Sequence, residues 1–470
     1  MIPSNDSPSG PYNLDTLTMS NRVLWISLLI GSALSLLVSY RVATQSILLG
    51  SRAGHWVYPN IRPFGIRSLA IVLLVSVVTG SLVAMHGVLA RRSEWLPVFV
   101  WVVVALGLQG LLRSLTPYTF ETIFTNDGAN AFYGVTRHYT ALTVLTDFER
   151  VRAYWPTHAQ SNMPGKLMLV FALKNLSGRP DVLAWLVVFV SNLGGVLMYV
   201  FVRDLFVDRR VAFYSLPLYL FVPAKLYFFP LLNTATPVVV IASACLLLRW
   251  LITGSAIYAA MLGVTLYGLI FFEPLPLVMG LLFAALAARA VWRADISWRR
   301  LLTQSGVVVI AFATTYAAVY GRFGFDLISA FRQIGTDAVA FNTTAGRPYS
   351  IWVRENLREF LFGVGICQAV VFVAALCEGL GRAEPWGRRV TQPITVLCLA
   401  LVSVLLATDL IGVNRGEVIR LWIFLACFFQ IPAAYVCARL NNRAALSLVL
   451  GATVLQDALG TAIIGFIVPR

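Results

Sequence analysis

Apolar runs of about twenty residues recur from one end of this chain to the other. Each is the length a helix needs to cross a hydrocarbon core roughly 30 Å thick. They stand near 23–42, 67–90, 96–116, 182–202, 211–229, 235–252, 257–273, 274–291, 305–321, 360–378, 392–411, 419–438 and 445–467. Most are apolar all round, as lipid-facing or bundle-core helices are. The pair around Glu273-Pro274 reads as two helices or as one broken one. Of 470 residues, 59% are hydrophobic and 12% charged, with mean hydropathy +0.79. Soluble domains carry roughly 25% charged residues. Too little polar surface is left to coat a water-soluble particle of this size. The expectation is an all-α, polytopic membrane bundle of about thirteen transmembrane helices.

The formal net charge is +15. Its Arg residues lie in short clusters between apolar runs, which is the positive-inside pattern rather than a nucleic-acid surface. Arg91 and Arg92 define one side. By alternation that side collects Arg203, Arg209 and Arg210, then Arg289, Arg293, Arg299 and Arg300, then Arg382, Arg388 and Arg389, and finally Arg439 and Arg443. It is therefore read as cytoplasmic, with the N-terminus inside and the C-terminus outside, in a cell inner or plasma membrane. Segment 43–66, carrying Arg52 and Arg62, falls on the opposite side against its charge. It is re-entrant, or the first helix is misplaced. Residues 1–22 are polar and Pro/Ser-rich, without the n-region and cleavage site of a signal peptide. They read as a disordered tail before a single transmembrane domain, 23–470. The six cysteines lie within or at the ends of apolar runs and read as small buried residues, not as a disulfide or zinc set.

Two long connectors, about 117–181 and 322–359, fall on the outer face. Long connectors in a compact protein are usually functional. In the first, Asp127, Asn130, Gly134 and His138 share one helical face, with Phe132 and Val135 opposite. They predict a short interfacial helix with Asp127 near its N-terminus, where the dipole favours a carboxylate and where a plain N-cap is the simpler role. His158 and the stretch Asn162-Met163-Pro164-Gly165-Lys166 follow, then an interfacial helix too short to span, ending at Gly178. Pro-Gly breaks the chain and allows close backbone approach to a ligand. Lys166 is then a cation at headgroup level, able to meet a lipid phosphate or merely to snorkel. A lone His such as His158 is more often structural than catalytic.

A second cluster is Asp409 with Asn414-Arg415-Gly416-Glu417-Val418-Ile419-Arg420. Glu417 and Arg420 stand three apart on one helical face. They mark a site or a structural ion pair. Glu273, an acid in apolar sequence, is expected at the outer end of its helix, facing the same cavity. Asp326, Arg332, Asp337, Asn342, Arg347, Tyr349, Arg354 and Glu355 in the second connector read as a solvated cap or a substrate-binding lid.

The pattern of Thr125-Asn126-Asp127, Met163-Pro164-Gly165-Lys166, Leu176-Ser177-Gly178-Arg179-Pro180-Asp181 and the basic turn Val202–Arg210 resembles the GT-C superfamily of polyprenyl-phosphate-sugar-dependent glycosyltransferases. Within it, the chain is most similar to the protein O-mannosyltransferase and lipid A aminoarabinose transferase type. The likeness is clearest over 117–240. It departs from that pattern in three ways. Asn126 replaces the first of two adjacent acids, the lysine follows Pro-Gly, and two extra helices precede the acidic loop. The resemblance implies a sugar donor on a polyprenyl phosphate, delivered through the bilayer. The acceptor would be a glycan, lipid or protein hydroxyl on the outer face, and transfer would invert the anomeric centre. Asp127 is then the candidate catalytic acid–base. Lys166, Arg420 and Arg354 are candidates for the donor phosphate. Asn126, His158, Glu417 and Glu273 are candidates for substrate binding. No cofactor is called for, and scattered acids without a spaced His pair do not indicate a divalent metal. The rival classes are a transporter or flippase of lipid-linked or envelope precursors and a non-catalytic scaffold. Transporters often carry internal repeats and helices broken at mid-membrane. No repeat is visible here, and the polar residues gather at one face.

Overall fold

The apolar runs fold as helices with local stop signals at both ends. Ser20 caps Asn21–Ala43 through its side chain, and Asp208 accepts from Arg210 and Val211 backbone N–H groups to open Arg209–Leu220. Gly254, Gly324 and Gly412 close helices in the left-handed conformation that glycine adopts without strain. The computed structural model describes residues 19–381 and 385–469. The tail predicted over 1–22 lies, up to residue 18, outside the described residues, as does Arg382 of the basic loops.

The chain is an all-α polytopic helix bundle. Among the described residues, ten helices are long and apolar enough to cross a membrane, and a bent pair, Tyr349–Val364 with Ile366–Leu380, can make up to eleven. Three of the thirteen expected spans differ from single straight crossings. Ala256–Phe272 is shorter, the run 360–378 belongs to the pair bent by 99°, and the run 419–438 is broken into short helices. The bend sits at Gly365, with φ +103°, a backbone angle a side chain resists. The sequence 273–274 is a turn between two separate helices, not a break within one: Ala256–Phe272 ends at Glu273, and Gly280–Trp292 follows after a 3-10 turn.

The two ends of the bundle differ sharply. At one end the basic loops tie to one another. Arg203 and Arg209 pair with Glu94, Arg249 with Asp204, and Arg439 with Glu378. Arg443 donates to the Ala84 carbonyl and Arg439 to that of Met19. At the other end the two long connectors pack together. Arg152 reaches Asp337 at 2.7 Å, and Asn342 donates to the Val413 carbonyl.

Segment 43–66 lies at this second end, as alternation requires. The first helix is not misplaced, since Asn21–Ala43 coincides with the first apolar run, and the segment links it to the next. The segment is a two-stranded hairpin, Gly50–Ser51 with Trp56–Val57, joining two full-length helices, Asn21–Ala43 and Ile66–Arg92. Its backbone meets the C-terminal segment through an Asn60–Ile464 bridge.

Two hydrophobic clusters hold the structure. The larger fills the bundle. The smaller, with Phe132, Trp155, Met163, Leu167, Tyr267 and Ile334, fixes the short helices of the first connector against the helix Leu327–Thr344. The six cysteines are free. Four are buried and Cys245 is partly so, but Cys377 is exposed, contrary to the buried role expected of all six.

Candidate site at the connector end of the bundle

Lys166 opens the site. The helix Gly165–Lys174 begins directly after Pro164, and Gly165 lets it run against the end of Ala256–Phe272. A Cβ at Gly165 would stand 2.5 Å from the Phe271 carbonyl oxygen and 2.6 Å from Phe272 Cα. The close approach that Pro-Gly permits is therefore to the protein's own backbone, not to a ligand as the motif suggested. It brings the fully buried Lys166 Nζ to 3.0 Å from Glu273 Oε2. Asn162 Oδ1 accepts from Lys166 at 2.9 Å. Thr236 donates to Glu273 at 2.5 Å, and Asn233 lies 3.5 Å from its other oxygen. Lys166 does not snorkel. Burial pushes its pKa down, and the Glu273 carboxylate works against that shift.

Glu417 forms the second half. Gly416 and Glu417 both take positive φ, +83° and +60°, in a turn pressed on Trp352. That turn aims Glu417 at two cations, Arg420 at 2.7 Å and Arg347 at 3.0 Å. Burial raises the Glu417 pKa, but Arg420 and Arg347 outweigh it, so the carboxyl is held below its ordinary value. Asn356 braces the turn, accepting from Gly416 N–H and donating to Asp409 and to the Asn414 carbonyl. Arg420 keeps a buried Nε with no hydrogen-bond partner in the protein.

His158 joins the halves. It lies within electrostatic reach of Arg420, Glu417 and Lys166 and is hydrogen-bonded to the Gly128 backbone. Arg420 first, then burial, lower its pKa to about 4, so the ring is neutral at physiological pH. The Gly128 contact ties the Asp127 turn to the cluster. Asp127 itself is exposed, its carboxylate lying over Gly134.

The predicted helix from Asp127 is shorter than its pattern implied. Residues 126–131 form a turn, and the helix is Phe132–His138. Asp127 is not its N-cap: Ala131 holds that position, with φ +61° and no side-chain cap. Asn130 turns inward to donate to the Phe124 carbonyl, which removes it from the exposed face. Asn126 Oδ1 accepts from Ala129 N–H at 2.9 Å and shapes the turn.

The fold thus gathers His158, Lys166, Glu273, Glu417 and Arg420, with the Asn126-Asp127 turn attached. Arg354 is not among them: it is exposed on Tyr349–Val364, and the cation beside Glu417 is Arg347 instead. Arg347 was expected only as one charge of a solvated cap or lid, and Asn233 and Thr236 were not singled out by the sequence. Asn162, quoted in the sequence only as the start of the stretch that holds Lys166, proves to be its hydrogen-bond partner across the Pro-Gly break. A separate open groove of about 480 Å³, lined by Glu149, Asp326, Ser329 and Arg332, contains none of the cluster residues. Among the described residues, no three of His, Cys, Asp and Glu converge as a metal cage.

No protein-family model matches the chain, and no curated protein matches it significantly.

Proposed function

We propose that this chain is a membrane glycosyltransferase that moves a sugar from a polyprenyl-phosphate donor to a hydroxyl acceptor, with inversion. The observation that carries the reading is a pair of guanidinium groups, Arg347 and Arg420, that share the single carboxylate of Glu417 at one end of a membrane bundle, next to the buried Lys166–Glu273 pair. One carboxylate does not fill two guanidinium groups, and charge held away from water is expensive unless partnered. A lipid phosphate at headgroup level offers that partner, and the spare Nε of Arg420 is a donor for it. The basic loops lie at the opposite end, so the positive-inside rule puts this site on the outer face.

In the reaction, the acceptor oxygen bonds to the anomeric carbon as the bond to the phosphate oxygen breaks. Asp127 takes the acceptor's proton. The departing phosphate leaves with the bonding electrons, and Arg420, supported by Lys166, stabilises the charge that develops there. Glu417 holds Arg420 in place. Neutral His158 supplies a ring nitrogen without adding to the positive charge.

The test is sugar transfer by the purified full chain in lipid nanodiscs. Radiolabelled polyprenyl-phosphate mannose, glucose, galactose and arabinose serve as donors, with an envelope extract as acceptor. Wild type should release polyprenyl phosphate from at least one donor. Asp127→Asn should lose roughly 100-fold or more in turnover without a change in melting temperature. Inactivity of wild type with every donor, or near-normal turnover by Asp127→Asn, overturns the assignment. A second reading, a flippase, draws on the 99° bend at Gly365, since transporters use broken helices. It predicts movement of lipid-linked sugar across the bilayer with no transfer.

A further inference from the structure

The hairpin segment 43–66 enters the site itself. Its strand end is fixed by Tyr58 N–H donating to the Leu49 carbonyl. Trp352 Nε1 donates to the Gly54 carbonyl and Arg358 to that of Gly50, so the hairpin is docked on the helix Tyr349–Val364. The Arg347 guanidinium lies 5.1 Å from the Trp56 ring centroid. Tyr58 is 5% exposed and leans on Phe466, with ring centroids 5.1 Å apart. Its hydroxyl is buried, lies within electrostatic reach of Glu359, Glu417, Arg420 and Arg347, and finds no hydrogen-bond partner in the protein. Glu359 is fully buried. One carboxyl oxygen accepts from Val418 N–H at 3.1 Å, which seats it beside Glu417, and the other has no partner. The Trp56 indole N–H is likewise buried and unpartnered.

Buried polar groups in native proteins are nearly always hydrogen-bonded. Here three unpartnered ones, a hydroxyl, a carboxyl oxygen and an indole N–H, belong to residues around the same cation–acid cluster. We propose that Tyr58 and Glu359, with Trp56, form the subsite that reads the hydroxyl groups of the donor's sugar ring. This inference rests on the glycosyltransferase reading and adds its specificity element. A sugar ring presents hydroxyls that both donate and accept, matched here by groups that do both. It also presents apolar C–H faces, matched by the Trp56 and Tyr58 rings. The neighbouring cations would hold the attached phosphate. The two helices flanking the hairpin then serve to carry a sugar-reading element over the phosphate site.

The experiment compares ligand-induced thermal shifts of the full chain in nanodiscs. The probes are bare polyprenyl phosphate and the four polyprenyl-phosphate sugars named above. Wild type should be stabilised by bare polyprenyl phosphate and further by one sugar-bearing lipid. Tyr58→Phe and Glu359→Gln keep shape and should retain the response to bare polyprenyl phosphate. Each should bind the sugar-bearing lipid about tenfold more weakly. If wild type and both variants gain the same extra shift from the sugar, the subsite is refuted while the phosphate site stands. If wild type responds to no probe, the underlying donor reading fails, and this inference fails with it.

Discussion

Lys166 and Glu273 are a buried ion pair with no solvent to fall back on. Removing one member strands the other. Lys166→Ala should therefore destabilise the protein by about 3–5 kcal/mol, whereas Lys166→Met with Glu273→Gln should recover most of that loss. A double-mutant cycle by thermal unfolding in detergent checks this, and additive losses would deny the coupling. Stability should also depend on His158. Its folded pKa lies near 4, below the ordinary value of 6.5. The unfolded chain therefore binds the extra proton between those values. Stability is fully present above pH 6.5 and falls as pH drops toward 4, by up to about 3 kcal/mol. His158→Asn should flatten the melting temperature over that window relative to wild type. An unchanged pH slope would show that the ring titrates normally.

The residue identities of this site were partly legible in the sequence. Glu417 and Arg420 were legible as a pair by their three-residue spacing, but Glu417 stands before the helix Val418–Leu421 in a left-handed turn and not on its face, and reaches Arg420 at 2.7 Å from there. Lys166 was legible as a cation but not as the partner of Glu273, because 107 positions separate them and only the packing of two helices unites them. Arg347 was one of several charges in a mixed connector. Nothing local distinguished it from Arg354, which the fold leaves exposed.

Among the elements, the helix Gly165–Lys174 depends on a single missing side chain. A methyl at Gly165 would meet the Phe271 and Phe272 backbone, which cannot rotate away. Gly165→Ala should shift this helix off Ala256–Phe272, cost about 1–3 kcal/mol by overpacking, and weaken donor-phosphate binding. Normal stability and donor affinity would show that the two helices can part without consequence. The apolar runs themselves were readable because length and hydropathy dictate a helix in lipid. The hairpin 43–66 was not, because two-residue strands have no periodic pattern to detect. Its position follows from Trp352, Arg358 and the C-terminal segment, all distant in the chain.

At the scale of the whole molecule, one end of the bundle concentrates basic loops and the other concentrates connectors and the buried cluster. In intact cells, an impermeant maleimide should label a cysteine placed at exposed Arg52 and spare one at exposed Arg299. The reverse pattern would put the site on the cytoplasmic side and remove the proposed direction of transfer. The proposed reaction requires a lipid phosphate at the Arg420 cluster. An electron cryomicroscopy map of the full chain in nanodiscs with polyprenyl phosphate tests that directly. The expected result is phosphate density within hydrogen-bonding distance of the Arg420 guanidinium, on the side toward Lys166 and the Asp127 turn. Phosphate bound at the basic-loop end, with the Arg420 cluster unaltered, would contradict it.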